Sequence, residues 1–412
     1  MFKSLNRGIV TPIAIIVIVL CAALVGGIVI WQYLEMSKEG KKILEIKPIE
    51  EPTTAFLAGS SNDSVMAILY NRIENKITHE KIINFNGLRL GASGFEASGR
   101  NDSVQYNTAT NQIILFVNNF SGYSGDSLTD APYSQAIWAT SFDKDDKSQI
   151  IFIPEGRIRS WITHPDKPII YVLDWVHSTS PKAEKAEILE INLLSKNVRK
   201  IASVSSDLIQ GEYFKFVMSK DGNSIFQAVQ MHKPGTIFQG AQSYKKDKTL
   251  LKQINLVSGE VTIMDMKDES GYLNTNNLSP DEKTFVFFGG WLGKSGLRIH
   301  HLKEQKTATL PLPEGLHITN FNLLWSGDSS KLMFLVEYVP FIYSISDKNE
   351  EKINVPVDQF PLIWSPAINY IFFKVLKEGN LRWNIFDLKT YKVENIYSSS
   401  LFNTTVGVRW VK

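Results

Sequence analysis

Apolar and polar positions alternate with a period of two through most of this chain, and tight-turn residues break the alternation at intervals. Residues 323–338, LLWSGDSSKLMFLVEY, show the unit: an apolar strand, a turn, and a second apolar strand. Gly327 and Asp328 supply the turn chemistry, because Gly tolerates positive φ and the Asp carboxylate bonds to nearby backbone. Leu332, Phe334 and Val336 alternate with Met333, Leu335 and Glu337, which predicts a strand buried on both faces near its start.

The same unit recurs at 161–175 (WITHPDKPIIYVLDW), 216–229 (FVMSKDGNSIFQAV), 277–288 (NLSPDEKTFVFF) and 362–376 (LIWSPAINYIFFKVL). Weaker copies lie at 57–70 and 106–117. Aligned on the turn, the copies sit at Asp63, Thr110, Asp166, Asp221, Asp281, Asp328 and Ala367, 39 to 60 residues apart. One small sheet cannot bury both of its faces alone, so repeats of this length with several strands each stack as the blades of a β-propeller. Seven copies predict an all-β fold, a seven-bladed propeller over residues 55–412, with six or eight blades as the alternatives. Residues 405–412, TVGVRWVK, read as the first strand of a repeat cut off at its turn. Ring closure would pair this strand with the blade begun by residues 57–85. Two alternatives stay open: Phe56–Gly59 is that blade's own first strand, or the last residues form a frayed tail.

The turn motif resembles the PD40 (WD40-like) repeat of TolB-type propellers. Trp325, Ser326 and Asp328 carry the resemblance, with Ser279, Pro280 and Asp281, and Trp364, Ser365 and Pro366. It is also similar to the propellers that precede the hydrolase domain of prolyl-oligopeptidase-type peptidases. The resemblance covers roughly residues 55 to 412 and implies a propeller that works outside the cytoplasm. The α/β domain that TolB-type proteins carry ahead of theirs is not expected here.

Ahead of the strands the pattern changes. Residues 1–8 are short and basic, and no charged residue occurs from Ile9 to Leu34. Twenty apolar helical residues cross a bilayer core of about 30 Å, so 9–34 is predicted to be a transmembrane helix, with Trp31 and Tyr33 at one interface. A cleaved signal, a lipoprotein signal at Cys21 and a prepilin leader after Gly8 fit less well. The run exceeds a signal core, Leu20 stands where a small residue belongs, and Ile13 stands where prepilins carry Glu. Residues 35–54 are charged, hold Pro48 and Pro52, and read as a stalk. Lys38, Lys41, Lys42 and Lys47 outnumber Lys3 and Arg7, so charge does not favour an inside N-terminus. Long domains cross regardless of charge, and with the resemblance this places the chain in the plasma (inner) membrane, single-pass, with the propeller outside.

Composition narrows the function. The chain is 43% hydrophobic and 11% aromatic, ample for a packed core, and its net charge of +2 comes without a basic block, so no nucleic acid partner is expected. The single cysteine, Cys21, excludes an internal disulfide and a cysteine zinc site.

Catalytic signatures fail one by one. FGGWLGKSG (288–296) is one residue short of a P-loop and runs into a strand pattern. His79-Glu80 lacks the second His of a zinc-protease helix, because Ile83 stands there. His300 and His301 are adjacent and point to opposite faces of a strand. GASGF, GYSGD and GKSGL all miss the last glycine of a nucleophile elbow. Asp143, Asp145 and Asp146 are interleaved with Lys144 and Lys147, as in a solvated turn. No cofactor, metal or catalytic residue is therefore expected, and the chain reads as a non-enzyme. The alternative is a propeller enzyme, of hydrolase or lyase type, with its site in the central channel. The inner strands recognisable in the sequence (321–325, 359–364 and 406–410) are mainly apolar, which counts against it.

One pattern points to a binding face. The loops after the second strand of each repeat lie on the rim opposite the first turns. The long ones are 118–134, 175–187, 231–249 and 289–296. Insertions gathered on one face of a repeat protein mark its contact surface. The candidate partner-binding residues are Tyr123, Asp126, Tyr133, Phe238, Tyr244, Trp291 and Lys294. The expected function is a binding or scaffold module of the cell envelope, taking a protein, peptide or glycan on that face. A sensor ectodomain is a further reading, with only eight residues ahead of the span for an output.

Overall fold

Turn chemistry and strand alternation resolve, among the described residues of a computed structural model, into 29 strands. The structure describes residues 53–61, 64–84, 89–90, 103–119, 134–143, 148–176, 185–204, 216–231, 248–266, 273–289, 296–310, 318–336, 339–346, 350–352, 359–365, 370–377, 380–402 and 404–411. The expected membrane helix and stalk, at 9–34 and 35–54, lie almost wholly outside these residues. Among the described residues no helix is long and apolar enough to cross a membrane.

Blade 1 takes β1 (Thr54–Ser60), β2 (Ser64–Asn71) and β3 (Lys76–Asn84). Blade 2 takes β4 (Arg89–Leu90), β5 (Val104–Asn107), β6 (Gln112–Asn119), β7 (Ser134–Ser141) and β8 (Gln149–Phe152). Blade 3 is β9 (Arg157–Thr163), β10 (Ile169–Val176), β11 (Lys185–Asn192) and β12 (Val198–Val204). Blade 4 is β13 (Val217–Met218), β14 (Ser224–Met231), β15 (Lys248–Asn255) and β16 (Val261–Asp265). Blade 5 is β17 (Leu273–Leu278), β18 (Thr284–Gly289), β19 (Gly296–His301) and β20 (Lys306–Thr309). Blade 6 is β21 (Ile318–Trp325), β22 (Lys331–Val336), β23 (Val339–Ser344) and β24 (Glu350–Lys352). Blade 7 is β25 (Gln359–Trp364), β26 (Tyr370–Lys377), β27 (Asn380–Asp387) and β28 (Lys392–Ser399), and β29 (Thr404–Val411) returns to blade 1. Every sheet is an antiparallel meander, and in blade 2 the inner strand is split into β4 and β5, both paired with β6.

The ring closes non-covalently. β29 pairs with β1 from Thr54↔Val411 to Ser60↔Thr404, so it is the inner strand of blade 1 and β1 is the second. This settles the alternatives left open by the sequence: Phe56–Gly59 is not the blade's first strand. It also corrects the copy placed at Asp63, which falls between β1 and β2, the second and third strands of their blade. Six covalent first turns remain, and the closure stands where the seventh would be.

Each blade buries both faces against its neighbours. Among the described residues an apolar cluster occupies each of the seven seams; the one between blades 7 and 1, for example, joins Leu57, Ile68, Phe372 and Trp383. One group in the blade 3–4 seam is misfitted. Gln227 is fully buried beside Lys252, and neither its amide nitrogen nor its amide oxygen has a hydrogen-bond partner. Leaving such a group dry costs about 1–3 kcal/mol. Gln227→Met, of similar length, should therefore raise unfolding stability by about that amount, read as a higher urea midpoint at unchanged slope.

Two turn motifs repeat around one rim. In the first turns, the Ser219, Ser279 and Ser326 hydroxyls donate to Asp221, Asp281 and Asp328 at 2.6, 2.6 and 2.7 Å. The same hydroxyls accept the backbone N–H five residues on, from Ser224, Thr284 and Lys331. The second motif closes the third-to-fourth hairpins and escaped the sequence reading. Oδ1 of Asn71, Asn192, Asn255 and Asp387 caps the backbone N–H groups two and three residues later. Neighbouring first turns are also tied together. Lys220 N–H donates to the Glu282 carboxylate, and Asp281 N–H donates to Ser329 Oγ at 2.9 Å.

In blade 3 a histidine replaces the turn serine. His164 is buried, and its Nδ1 accepts the N–H groups of Asp166 (3.0 Å) and Lys167 (3.1 Å). Its ring packs over Gly222 of the next first turn, where φ is +70° and a Cβ would sit 2.3 Å from Nε2.

Candidate functional site

The antiparallel meander fixes which loops share a face. First turns and third-to-fourth turns share one rim; second-to-third connections share the other. The long connections, residues 120–133, 177–184, 232–247 and 290–295, fall on four successive blades, 2 to 5, and on that other rim. Tyr123, Asp126, Tyr133, Phe238, Tyr244, Trp291 and Lys294 all sit within them, outside the described residues.

Chemistry that the sequence reading passed over lies on the inner strands. Arg409, half-buried on β29, donates from Nη1 to Thr163 Oγ1 at 2.9 Å. Thr163 in turn donates from its hydroxyl (3.1 Å) and its N–H (2.8 Å) to Gln105 Oε1, and Gln105 Nε2 donates to the Trp161 carbonyl at 3.3 Å. One arginine thus ties blade 1 to blades 2 and 3 through neutral groups. Burial pulls its guanidinium below the usual arginine value, and the charge of Asp166 pushes it back up.

A second arginine is held near the opposite end of β9. The pairing of β9 with β10 slips between Leu173 and Asp174, which leaves Arg159 as the extra residue of a bulge, a device that re-aims a side chain. Its guanidinium carbon lies 4.0 Å from the centre of the Trp175 ring. The approach to the bulge is fixed on both sides. Buried Asp174 accepts the N–H groups of Glu155 (3.0 Å) and Gly156 (3.1 Å), and Gln135 Oε1 accepts Ile158 N–H at 2.6 Å. Burial pushes the Asp174 carboxyl above its ordinary range, and those two N–H groups pull it back.

Polar residues also stand on the inner strands, beyond the mainly apolar stretches 321–325, 359–364 and 406–410. Among the described residues these strands carry Arg89, Arg157, Arg159 and Arg409 and five asparagines on β17 and β21, but no Asp, Glu, His or Lys. Among the described residues no three His, Cys, Asp or Glu side chains gather as a metal site would require. A sequence signal existed in RIRSWIT (157–163), where arginines stand among apolar strand residues just before a first turn.

The class these features define is the seven-bladed β-propeller. No protein-family model and no curated protein matches the chain. Among solved structures, an oligogalacturonate lyase in complex with manganese is similar at 12% identity over 84% of each chain, with a TM-score of 0.54. A puromycin hydrolase is similar at 10% identity over 83% of this chain and 53% of that one, with a TM-score of 0.56. TolB from Acinetobacter baumannii matches at 14% identity over 86% of this chain and 81% of that one, with a TM-score of 0.42. At such identities the likeness to the lyase and the hydrolase shows the fold alone. It also corrects the non-enzyme expectation: two proteins whose names describe enzymes share this fold, so missing catalytic motifs do not exclude catalysis.

Proposed function

We propose that this chain is a membrane-anchored propeller that works outside the cytoplasm and holds a protein, peptide or glycan on its long-loop face. The observation that carries the reading is the gathering of the long second-to-third connections on four adjacent blades of one rim. In the remaining blades these connections shrink to residues 61–63, 337–338 and 378–379. The uncharged run 9–34 and the charged stalk 35–54 support the anchor. The arginines fixed at the channel border favour a second reading, a channel-site enzyme of lyase or hydrolase type, which turnover of a bound ligand would select.

Protease accessibility tests the location. With the full chain expressed in cells, the propeller should be cut while the plasma membrane is intact, once any outer layer is opened. Crosslinkers placed in 118–134 and 231–249 should then capture envelope components. Protection until the plasma membrane is breached would put the domain in the cytoplasm and overturn the reading.

A further inference from the structure

The rim that carries the first turns and the third-to-fourth hairpins presents apolar side chains at one repeated place. In blades 1, 3 and 4 the Asn cap of the hairpin holds the N–H of the residue two places on, which is Ile73, Leu194 or Val257. These three are 77%, 70% and 74% exposed. The cap uses only their backbone, so a polar side chain would serve the turn as well. In blades 3 and 4 the preceding residue, Leu193 or Leu256, is buried and seats the hairpin in the core. Tyr391 stands out from the hairpin of blade 7. Ile150 and Val198, both exposed, lie at the start of outer strands beside Lys196, whose Nζ donates to the Ile150 carbonyl at 3.3 Å.

Lysines flank these tips. Lys76, Lys196, Lys303, Lys306, Lys389 and Lys392 are exposed in or next to the hairpins, against Glu74, Glu260 and Glu304. Lys76 already pairs with Glu74 at 2.8 Å. Asp221, Asp281 and Asp328 of the first turns are taken up by their serines. The chain also enters the propeller here: Arg72, in the blade 1 hairpin, donates its N–H to the Thr53 carbonyl at 2.8 Å.

We propose that this rim rests on a bilayer bearing anionic headgroups, with Ile73, Leu194, Val257 and Tyr391 dipped into its surface. Single exposed apolar residues are ordinary, but here they recur at one structural position on one rim. Points spread over four blades fit a flat partner, not a groove or a single peptide. The apolar groups enter the headgroup boundary while the ammonium groups stay with the lipid phosphates. Each tip contributes little alone, but a tethered domain meets its membrane at high effective concentration, so weak contacts suffice. The caps fix the tips beforehand, so little freedom is lost on contact. The long second-to-third connections then face away from the bilayer, open to a partner.

The inference rests on the anchor read at residues 9–34, and the test separates the two. The full chain, carrying Cys21→Ser, is reconstituted into vesicles of phosphatidylglycerol and phosphatidylcholine that contain nitroxide-labelled lipid. A fluorophore is attached at Ile73→Cys or, as a control, at Leu401→Cys, an exposed site on the opposite rim. Lipid nitroxide should quench the probe at 73 severalfold more than the probe at 401, and less when phosphatidylcholine is the only lipid. Leu194→Glu together with Val257→Glu should lower quenching at 73 to the level at 401. All four positions are exposed, so the variants should keep the parent's melting curve. Equal quenching at 73 and 401, equal quenching without the anionic lipid, or quenching that ignores the two glutamates would each overturn the proposal. Quenching between probes on different chains, with none from lipid, would give the rim to a second copy and overturn it too. Flotation with the vesicles after a high-salt wash reports the anchor. A chain that floats with an unquenched rim removes this inference alone, and a chain that does not float removes both.

Discussion

Deleting residues 404–412 is expected to abolish cooperative unfolding altogether, leaving a chain that aggregates at concentrations where the full protein stays dispersed. The deletion removes β29 and bares the edge of β1, an open template for pairing between molecules. It takes away the Trp410 contact with Phe372, with ring centres 5.1 Å apart, and the Trp410 hydrogen bond to the Trp364 carbonyl at 3.1 Å. It also strips Trp383 of its partner Thr405, bonded at 3.0 Å inside the core. Together these losses rival the 5–15 kcal/mol that hold a typical domain folded. A gentler probe of the same joint is Gly407→Ala. A Cβ there would lie 2.2 Å from the Val104 carbonyl of blade 2, so β29 would have to back away. The expected loss is about 1–3 kcal/mol in urea melts. A variant as stable as the parent would show that the closure does not limit stability.

The second large effect is loss of stability in mild acid. His164 and His300 are buried, and burial holds both below the ordinary histidine value. At His164, Nδ1 already accepts two N–H groups, so a proton there would break both bonds. His300 Nδ1 lies 2.8 Å from Thr307 Oγ1, whose own proton goes to the Met266 carbonyl, so Nδ1 carries the ring proton and donates, while buried Nε2 has no acceptor for a second proton and burial keeps the ring neutral. Because the folded values lie below the unfolded value of about 6.5, the unfolded chain takes up protons first. The contribution is complete above that pH and drains away below it, at up to about 1.4 kcal/mol per pH unit for each histidine. Urea melts at pH 7.5 and 5.5 should show the fall, and His300→Met should halve it. The turn carboxylate of Asp221 titrates in a separate, lower window, because the Ser219 hydroxyl and the Asn223 N–H hold it below the usual range. A flat profile between pH 7.5 and 5.5 would exclude buried neutral histidines.

The repeat was legible because one local physics writes it each time. An apolar strand, a Ser–x–Asp turn and a second apolar strand sit together in sequence, and Ser219, Ser279 and Ser326 make the same bonds in space. The misplacement at Asp63 has the same source. A Ser/Asn/Asp hairpin between apolar strands looks alike whether it joins first and second strands or second and third. Only the return of β29 tells them apart. The Asn and Asp caps of the third-to-fourth hairpins were equally local and could have been read from the spacing of Asn71, Asn192, Asn255 and Asp387 before their turns. The channel border was not local. Arg409 and Thr163 are 246 positions apart, and nothing in either neighbourhood announces the other. An isolated arginine on an apolar strand acquires meaning only when the ring closes around it.

The closure has a mechanical corollary. Both ends of the propeller chain enter the same blade, with Thr54 directly opposite Val411. A load applied between these two points would not shear the joint along its length. It would peel the seam from one end, opening one rung after another, so the resisting force at any moment is that of a single rung. The seam that completes the core is therefore the place where tension parts the ring first. A tether leading from the first strand keeps the propeller whole only while the last strand is left slack.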